Sequence, residues 1–125
     1  MAFKTLPSQA LSHTQCNQAL LHVRDALEVL NGKWKLPILI ALASGPKRFR
    51  EISKEVPNIT DKMLSKELKD LEINLLITRT VHDTFPPTVI YERTEHSNSL
   101  GEVISALREW GVLHRQKVFG IPESV

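Results

Sequence analysis

Apolar residues recur along this chain with two rhythms, a helical one that gives way to alternation and then returns. From Cys16 or Asn17 to Leu30, the positions Leu20, Val23, Leu27 and Leu30 alternate by three and four, the pattern of a helix–helix seam, with Cys16 one step earlier on the same stripe. Asn31-Gly32 supplies a helix stop, because both residues tolerate the left-handed conformation. A second helix is predicted over residues 35–43, apolar nearly all round through Ile38, Leu39, Ile40 and Leu42 and therefore a central core element. Pro37 falls in its first turn, where the missing N–H matters little, and Ser44-Gly45-Pro46 ends it. A short third helix over residues 48–55 turns Phe49, Ile52 and Val56 inward, Pro57-Asn58 makes the turn, and Ile59 plugs that turn from inside. Thr60 is the expected N-cap of a fourth helix with two unlike faces. Leu64, Leu68, Leu71 and Leu75 repeat at i, i+4, i+7 and i+11, while Lys62, Lys66 and Lys69 line the other side with Ser65 at the edge.

Alternation follows. Residues 77–82 and 89–93 both read as strands, and the stiff link Asp83-Thr84-Phe85-Pro86-Pro87 continues neither. Thr94 can cap a long last helix reaching about Val118, with Leu100, Val103, Ile104, Leu107, Trp110 and Val118 as its apolar positions. Residues 1–15 hold Pro7 and several Ser, Thr and Gln without a helical stripe and read as a mobile arm; residues 120–125 read as a tail. The fold expected is mainly α with a small β-hairpin. Helix, turn, helix and hairpin come in the order of a winged helix-turn-helix. The domain is placed at 16–119, with the helix-turn-helix at about 48–74, the wing at about 77–93 and a C-terminal dimerisation helix at about 95–118.

A compact core needs the second to fourth helices and one strand face. The stripes on the first and last helices exceed that need, so the N- and C-terminal helices are expected to form a homodimer interface. A symmetric pair would set two recognition helices about 34–36 Å apart on one side of a duplex. Length adds that the 125 residues make one domain. The formal charge of +2 neither establishes nor removes a nucleic-acid partner. Its distribution says more: between Lys47 and Lys69 seven basic residues face four acidic ones. No stretch has the length and apolarity of a membrane span and the start lacks a signal-peptide pattern, so the expectation is a cytoplasmic protein with no membrane partner.

The candidate chemistry follows from those positions. The N-terminal half of a recognition helix reaches base edges, which selects Thr60, Lys62, Ser65 and Lys66; Lys69, a turn further on, is placed to meet phosphate. Arg48 and Arg50 can reach the backbone from the preceding helix, and Arg79, His82 and Thr84 would set the wing in or beside the minor groove. Phe49 and Trp34 fall on apolar stripes and read as core. His13, His22, His82, His96 and His114 are scattered without ligand spacing, so no metal or other cofactor is expected. With no nucleophile elbow and no glycine-rich loop, no enzyme is expected either. The alternative function is a winged helix used for protein contacts without DNA. Cys16 is the single cysteine, so a disulfide would have to join two molecules. At a helix N-terminus the macrodipole favours its thiolate, whereas on an apolar stripe a cysteine is commonly an inert small hydrophobe; both readings stand.

Taken together, Cys16, Gly32-Lys33-Trp34-Lys35, Gly45-Pro46-Lys47-Arg48-Phe49, Ile59 to Ser65, Leu68, Leu71-Glu72, Arg79, the wing prolines, Tyr91 and Thr94 resemble the HxlR-type family of bacterial winged-helix transcription regulators. The resemblance implies a homodimer paired through its first and last helices that binds operator DNA and regulates a nearby gene. Some members act as redox switches through a cysteine at the place Cys16 occupies, with an oxidant or small electrophile as effector. The sequence departs from the family pattern in three places. Asn17 stands where proline often follows the cysteine. Leu75 stands where glycine is usual, and Asn74 can adopt the left-handed turn instead. Arg93-Thr94-Glu95-His96-Ser97 replaces the Leu-Thr…Gly opening of the last helix.

Overall fold

The computed structural model describes residues 11–120. The described residues divide into two compact units, parted between Asn31 and Gly32.

In the first unit, α1 (His13–Val29) opens on a reciprocal Ser-x-x-Gln box. The Gln15 N–H donates to the Ser12 hydroxyl at 3.1 Å, and the Ser12 N–H donates to the Gln15 side-chain oxygen at 2.9 Å. This box starts the helix three residues before Cys16, so the end of the expected mobile arm, His13 to Gln15, is helical; residues 1–10 of that arm lie outside the described residues. Of Asn31-Gly32 only Gly32 takes a left-handed backbone, with φ of +79°. The seam residues Leu20, Val23 and Leu27 are exposed, and α1 buries no residue.

In the second unit, α2 (Lys35–Ala41) is followed by a 3₁₀ turn over Leu42–Ser44 in place of the α-helical end expected at Ala43. Tightening the last turn brings the chain directly to Gly45 and Pro46, which cannot extend a helix. Next come α3 (Phe49–Glu55) and α4 (Asp61–Ile73), joined by a turn in which Asn58 is left-handed with φ of +68° and Ile59 is buried. Asparagine suits that backbone, because its side chain lowers the penalty other non-glycine residues meet there. The core is made of Ile38, Leu39 and Leu42 from the α2 region, Ile52 and Val56 from α3, Leu64, Leu68 and Leu71 from α4, and Leu76 and Ile77 beyond it.

The end of α4 differs from the sequence expectation. Asn74 is not left-handed, with φ of −87°; Leu75 takes that conformation, with φ of +63°, and is exposed. The Leu76 N–H reaches the Leu71 carbonyl at 2.9 Å and the Leu75 N–H reaches Glu72 at 3.1 Å, the two bonds of a Schellman turn. Leu76 and Leu71, which flank the turn, are both buried. Their burial holds a leucine in a backbone state that disfavours it by roughly 1–2 kcal/mol. Leu75 therefore leaves the apolar stripe that the spacing had assigned it.

Strands β1 (Ile77–His82) and β2 (Thr88–Arg93) pair antiparallel from Ile77↔Arg93 to His82↔Thr88. Lys47 adds an isolated bridge on the far side of β2, exchanging backbone hydrogen bonds with Tyr91 at 2.9 and 2.8 Å. The alternation along β1 does not bury a face. Only Ile77 is buried, because the rest of the strand projects from the core as a wing.

The last helix is interrupted. α5 (Glu95–Asn98) is capped by Thr94, and α6 (Gly101–Phe119) starts after Ser99 and Leu100. At the break the Arg93 guanidinium donates to the Ser97 hydroxyl and carbonyl at 3.1 and 3.2 Å, and that carbonyl also accepts from the Leu100 N–H at 3.0 Å. The Leu100 bond closes an i to i+3 turn where the α-helical ladder would run from i to i+4. α6 buries none of its residues, and Val103, Leu107, Trp110, Leu113 and Val118 are all exposed.

Candidate nucleic-acid interface

The recognition-helix candidate, α4, is fixed at its start by Thr60, whose hydroxyl accepts the Met63 N–H at 3.1 Å. Asp61, in the first turn, carries the negative charge that a helix N-terminus favours and also pairs with Arg50 of α3 at 3.3 Å. Docked by Leu64, Leu68 and Leu71, α4 leaves Lys62, Ser65, Lys66 and Lys69 exposed. Its two edges differ in chemistry.

On the edge next to the hairpin, Ser65, Leu68, Lys69 and Glu72 join Arg79 of β1 and Tyr91 of β2 around one polar concavity. Neither Lys62, Lys69 nor Arg79 has an ion-pair partner among the described residues.

On the edge next to α2, four charges interlock. The Lys35 ammonium, 3% exposed, lies 2.9 Å from Glu67 Oε1, itself 4% exposed, and 3.5 Å from Asp70 Oδ2. Lys66 closes the set at 3.5 Å from Glu67 and 3.4 Å from Asp70. Burial alone would lift the Asp70 carboxyl, but the Lys66 hydrogen bond and charge, with Lys35 behind them, hold it below its ordinary value of 3.8. The same hydrogen bond and charge from Asp70, and then those of Glu67, raise Lys66. Sequence reasoning passed over Lys35, Glu67 and Asp70 as functional positions. One signal was present: Glu67 sits between Leu64 and Leu71 on the apolar stripe, where a carboxylate needs a buried cation.

The other candidate residues spread outward. Arg48 and Arg50 are exposed at the start of α3, where the Arg48 N–H donates to Glu51 at 2.9 Å. His82 ends β1 and is exposed. The Thr84 hydroxyl is engaged within the hairpin turn, 2.7 Å from the Pro86 carbonyl and 2.8 Å from the Thr88 hydroxyl. Ser65, Lys69 and Arg79 thus share one surface, while His82 and Thr84 stand at the far end of the wing. Cys16 lies in the opening turns of α1, half-buried, its N–H bonded to the Ser12 carbonyl at 2.9 Å and its Sγ 4.0 Å from the Leu11 carbonyl. Among the described residues no cluster of His, Cys, Asp and Glu could hold a metal ion, and no helix is long and apolar enough to cross a membrane.

This architecture is shared with solved proteins. The chain is 42% identical over 105 residues to the HTH-type transcriptional regulator YtcD of Bacillus subtilis (strain 168), covering 84% of this chain and 83% of the relative. The crystal structure of YtcD superposes with a TM-score of 0.71 over 74% of this chain and 94% of that one, at 43% identity. The redox regulator HypR in its reduced form gives a TM-score of 0.73 at 33% identity, covering 79% of this chain and 98% of that one. The HTH-type transcriptional regulator YodB of Bacillus subtilis is 35% identical over 100 residues, 80% of this chain and 86% of the relative. Reduced YodB superposes with a TM-score of 0.66 at 36% identity over 74% of this chain and 88% of that one; YodB has also been solved diamide-treated and quinone-bound. A family model described as HxlR-like helix-turn-helix matches residues 29–119. With most of its length matched and its helices, turn and hairpin in the expected order, the chain belongs to the HxlR-like helix-turn-helix family of transcriptional regulators.

Proposed function

We propose that this regulator binds operator DNA in the cytoplasm as a homodimer, placing the outer face of α4 in the major groove and the hairpin beside it. The observation that carries this reading is the hairpin-side edge of α4, where Ser65, Lys69 and Arg79 share one exposed concavity. Unpaired cations beside a hydroxyl suit a surface that must hold phosphates and then read base edges. In this reading Thr60, Lys62, Ser65 and Lys66 face the bases, Arg48, Arg50 and Lys69 hold the phosphate backbone, and Arg79, His82 and Thr84 line the minor-groove side. The apolar stripes of α1 and α6 support pairing with a second copy, since neither helix buries any of its residues. The deciding measurement is the affinity for duplex DNA as a function of salt. A regulator gives a steep fall with added salt, whereas a winged helix reserved for protein contacts gives none. Sedimentation at micromolar concentration tests the dimer, and a monomer would remove it.

Cys16 is proposed as the point at which oxidants or quinones act on DNA binding. Support comes from its place in the opening turns of α1 and from the redox regulator HypR and the diamide-treated and quinone-bound forms of YodB as relatives. A two-electron oxidant would take two Cys16 thiols, one from each copy, to an intermolecular disulfide with loss of two protons; a quinone would instead add to one thiolate. In the Cys16→Ser protein, operator binding should no longer respond to diamide or quinone, and a retained response would exclude Cys16 as the sensor.

A further inference from the structure

We propose that Asp70 sets how strongly α4 engages a duplex by holding the Lys66 ammonium, so that Lys66 reaches DNA only by leaving Asp70. The inference rests on the reading that α4 meets DNA. Its ground is the asymmetry of the lysine row. Lys66 lies 3.4 Å from Asp70 and 3.5 Å from Glu67, whereas Lys62 and Lys69 have no acidic partner among the described residues. The four-charge cluster of Lys35, Glu67, Asp70 and Lys66 sums to zero, so that edge of the helix presents no net attraction to a polyanion.

The exposures decide which pairs can exchange. Lys35 and Glu67 are both buried at 2.9 Å, and that pair is fixed. Lys66 and Asp70 are 64% and 39% exposed, so their bond sits where a phosphate or a base acceptor can compete for the ammonium. When Lys66 leaves, Asp70 keeps Lys35 at 3.5 Å as a counter-charge and Glu67 keeps Lys35 at 2.9 Å. Neither carboxylate is stranded, which makes the exchange inexpensive. Asp70 is thus a positioning residue that acts through Lys66.

The experiment measures binding of the full-length protein to a labelled duplex that the unaltered protein has selected from a random pool, across a salt series, in four proteins: unaltered, Asp70→Asn, Lys66→Ala and the double variant. Asp70→Asn should tighten binding several-fold, up to about five-fold at low salt, the scale of one exposed ion pair. It should also steepen the salt dependence by up to about one unit, as one more free cation displaces counterions from the duplex. In the Lys66→Ala background the same substitution should change neither quantity. Asp70→Ser, also without a charge to hold Lys66 and too short to reach it, should reproduce Asp70→Asn. An equal gain in both backgrounds would overturn the proposal in favour of simple repulsion between Asp70 and DNA. No gain in either background would overturn it as well. If the unaltered protein selects no duplex and shows no salt-dependent binding, the DNA reading itself falls and takes this proposal with it, an outcome distinct from the other two.

Discussion

The two edges of α4 are built on different foundations. Beneath the edge next to the hairpin lies hydrocarbon, with Leu68 docked into the core and 2% exposed. Beneath the edge next to α2 lies charge, with Lys35 and Glu67 paired at 2.9 Å and nearly closed to solvent. Hydrocarbon seats a helix without fixing what its surface charges do, so Lys69 and Arg79 stay available. A buried ion pair fixes orientation but draws in its neighbours, and Lys66 is consumed by the carboxylates it borders. One lysine row therefore contains both an unpaired edge and a neutralised one. The lesson is that helical spacing locates charges, while the second partner of each charge decides what it can do.

The strongest challenge to this contrast is to remove the buried cation. Lys35→Ala should destabilise the fold by about 3 kcal/mol, since buried Glu67 would keep only the longer, exposed Lys66 contact at 3.5 Å, whereas Lys35→Met with Glu67→Leu should come close to neutral or even gain stability. Urea unfolding of the three proteins settles it, and a small loss for the single variant would mean that the pair is not desolvated. On the other edge, Leu68→Ala should cost on the order of 2–5 kcal/mol by the same measurement, and an unchanged midpoint would show the helix to be turned the other way. Next in size come effects on DNA. Lys69→Ala should weaken all duplexes alike and reduce the salt slope by about one unit. Lys66→Ala should lose less at the phosphate level, because its ammonium is already engaged. Equal losses at the two positions would erase the distinction between the edges.

The smallest expected effect is on acid stability. The folded Asp70 carboxyl titrates below its ordinary 3.8, so its pairing contributes fully above that value and is lost as the pH falls through the lowered folded value. The unfolding free energies of the unaltered and Asp70→Asn proteins should therefore converge as acid is added. Curves that remain parallel through that range would place the acid sensitivity elsewhere.

Periodicity made the frame of this molecule legible. The stripe of Leu64, Leu68 and Leu71 and the turn at Asn58 follow from local chemistry, and they appear where the spacing puts them. What stayed hidden depends on partners distant in sequence. Glu67 sits on the apolar stripe with no visible partner until Lys35, thirty-two residues earlier, is brought against it. The break between α5 and α6 has a nearer setting, with Arg93 turned back onto Ser97 and Asn98, polar contacts that an apolar pattern does not record. The start of α1 is different, because Ser12 and Gln15 spell out a capping box in the sequence itself; the polar composition around them masked it. At the end of α4 propensity favoured Asn74 for the left-handed position, and tertiary packing of Leu71 and Leu76 assigned it to Leu75.

Thr94 shows how little chain separates these parts. Its hydroxyl donates to the Leu75 carbonyl at 2.6 Å and accepts the Ser97 N–H at 3.2 Å, while its own N–H donates to the Leu76 carbonyl at 3.1 Å. A single oxygen is thus the rivet through which the exit of one helix and the entrance of another are clamped at the root of the wing. Losing that one hydroxyl would therefore loosen the exit of α4 and the start of α5 together.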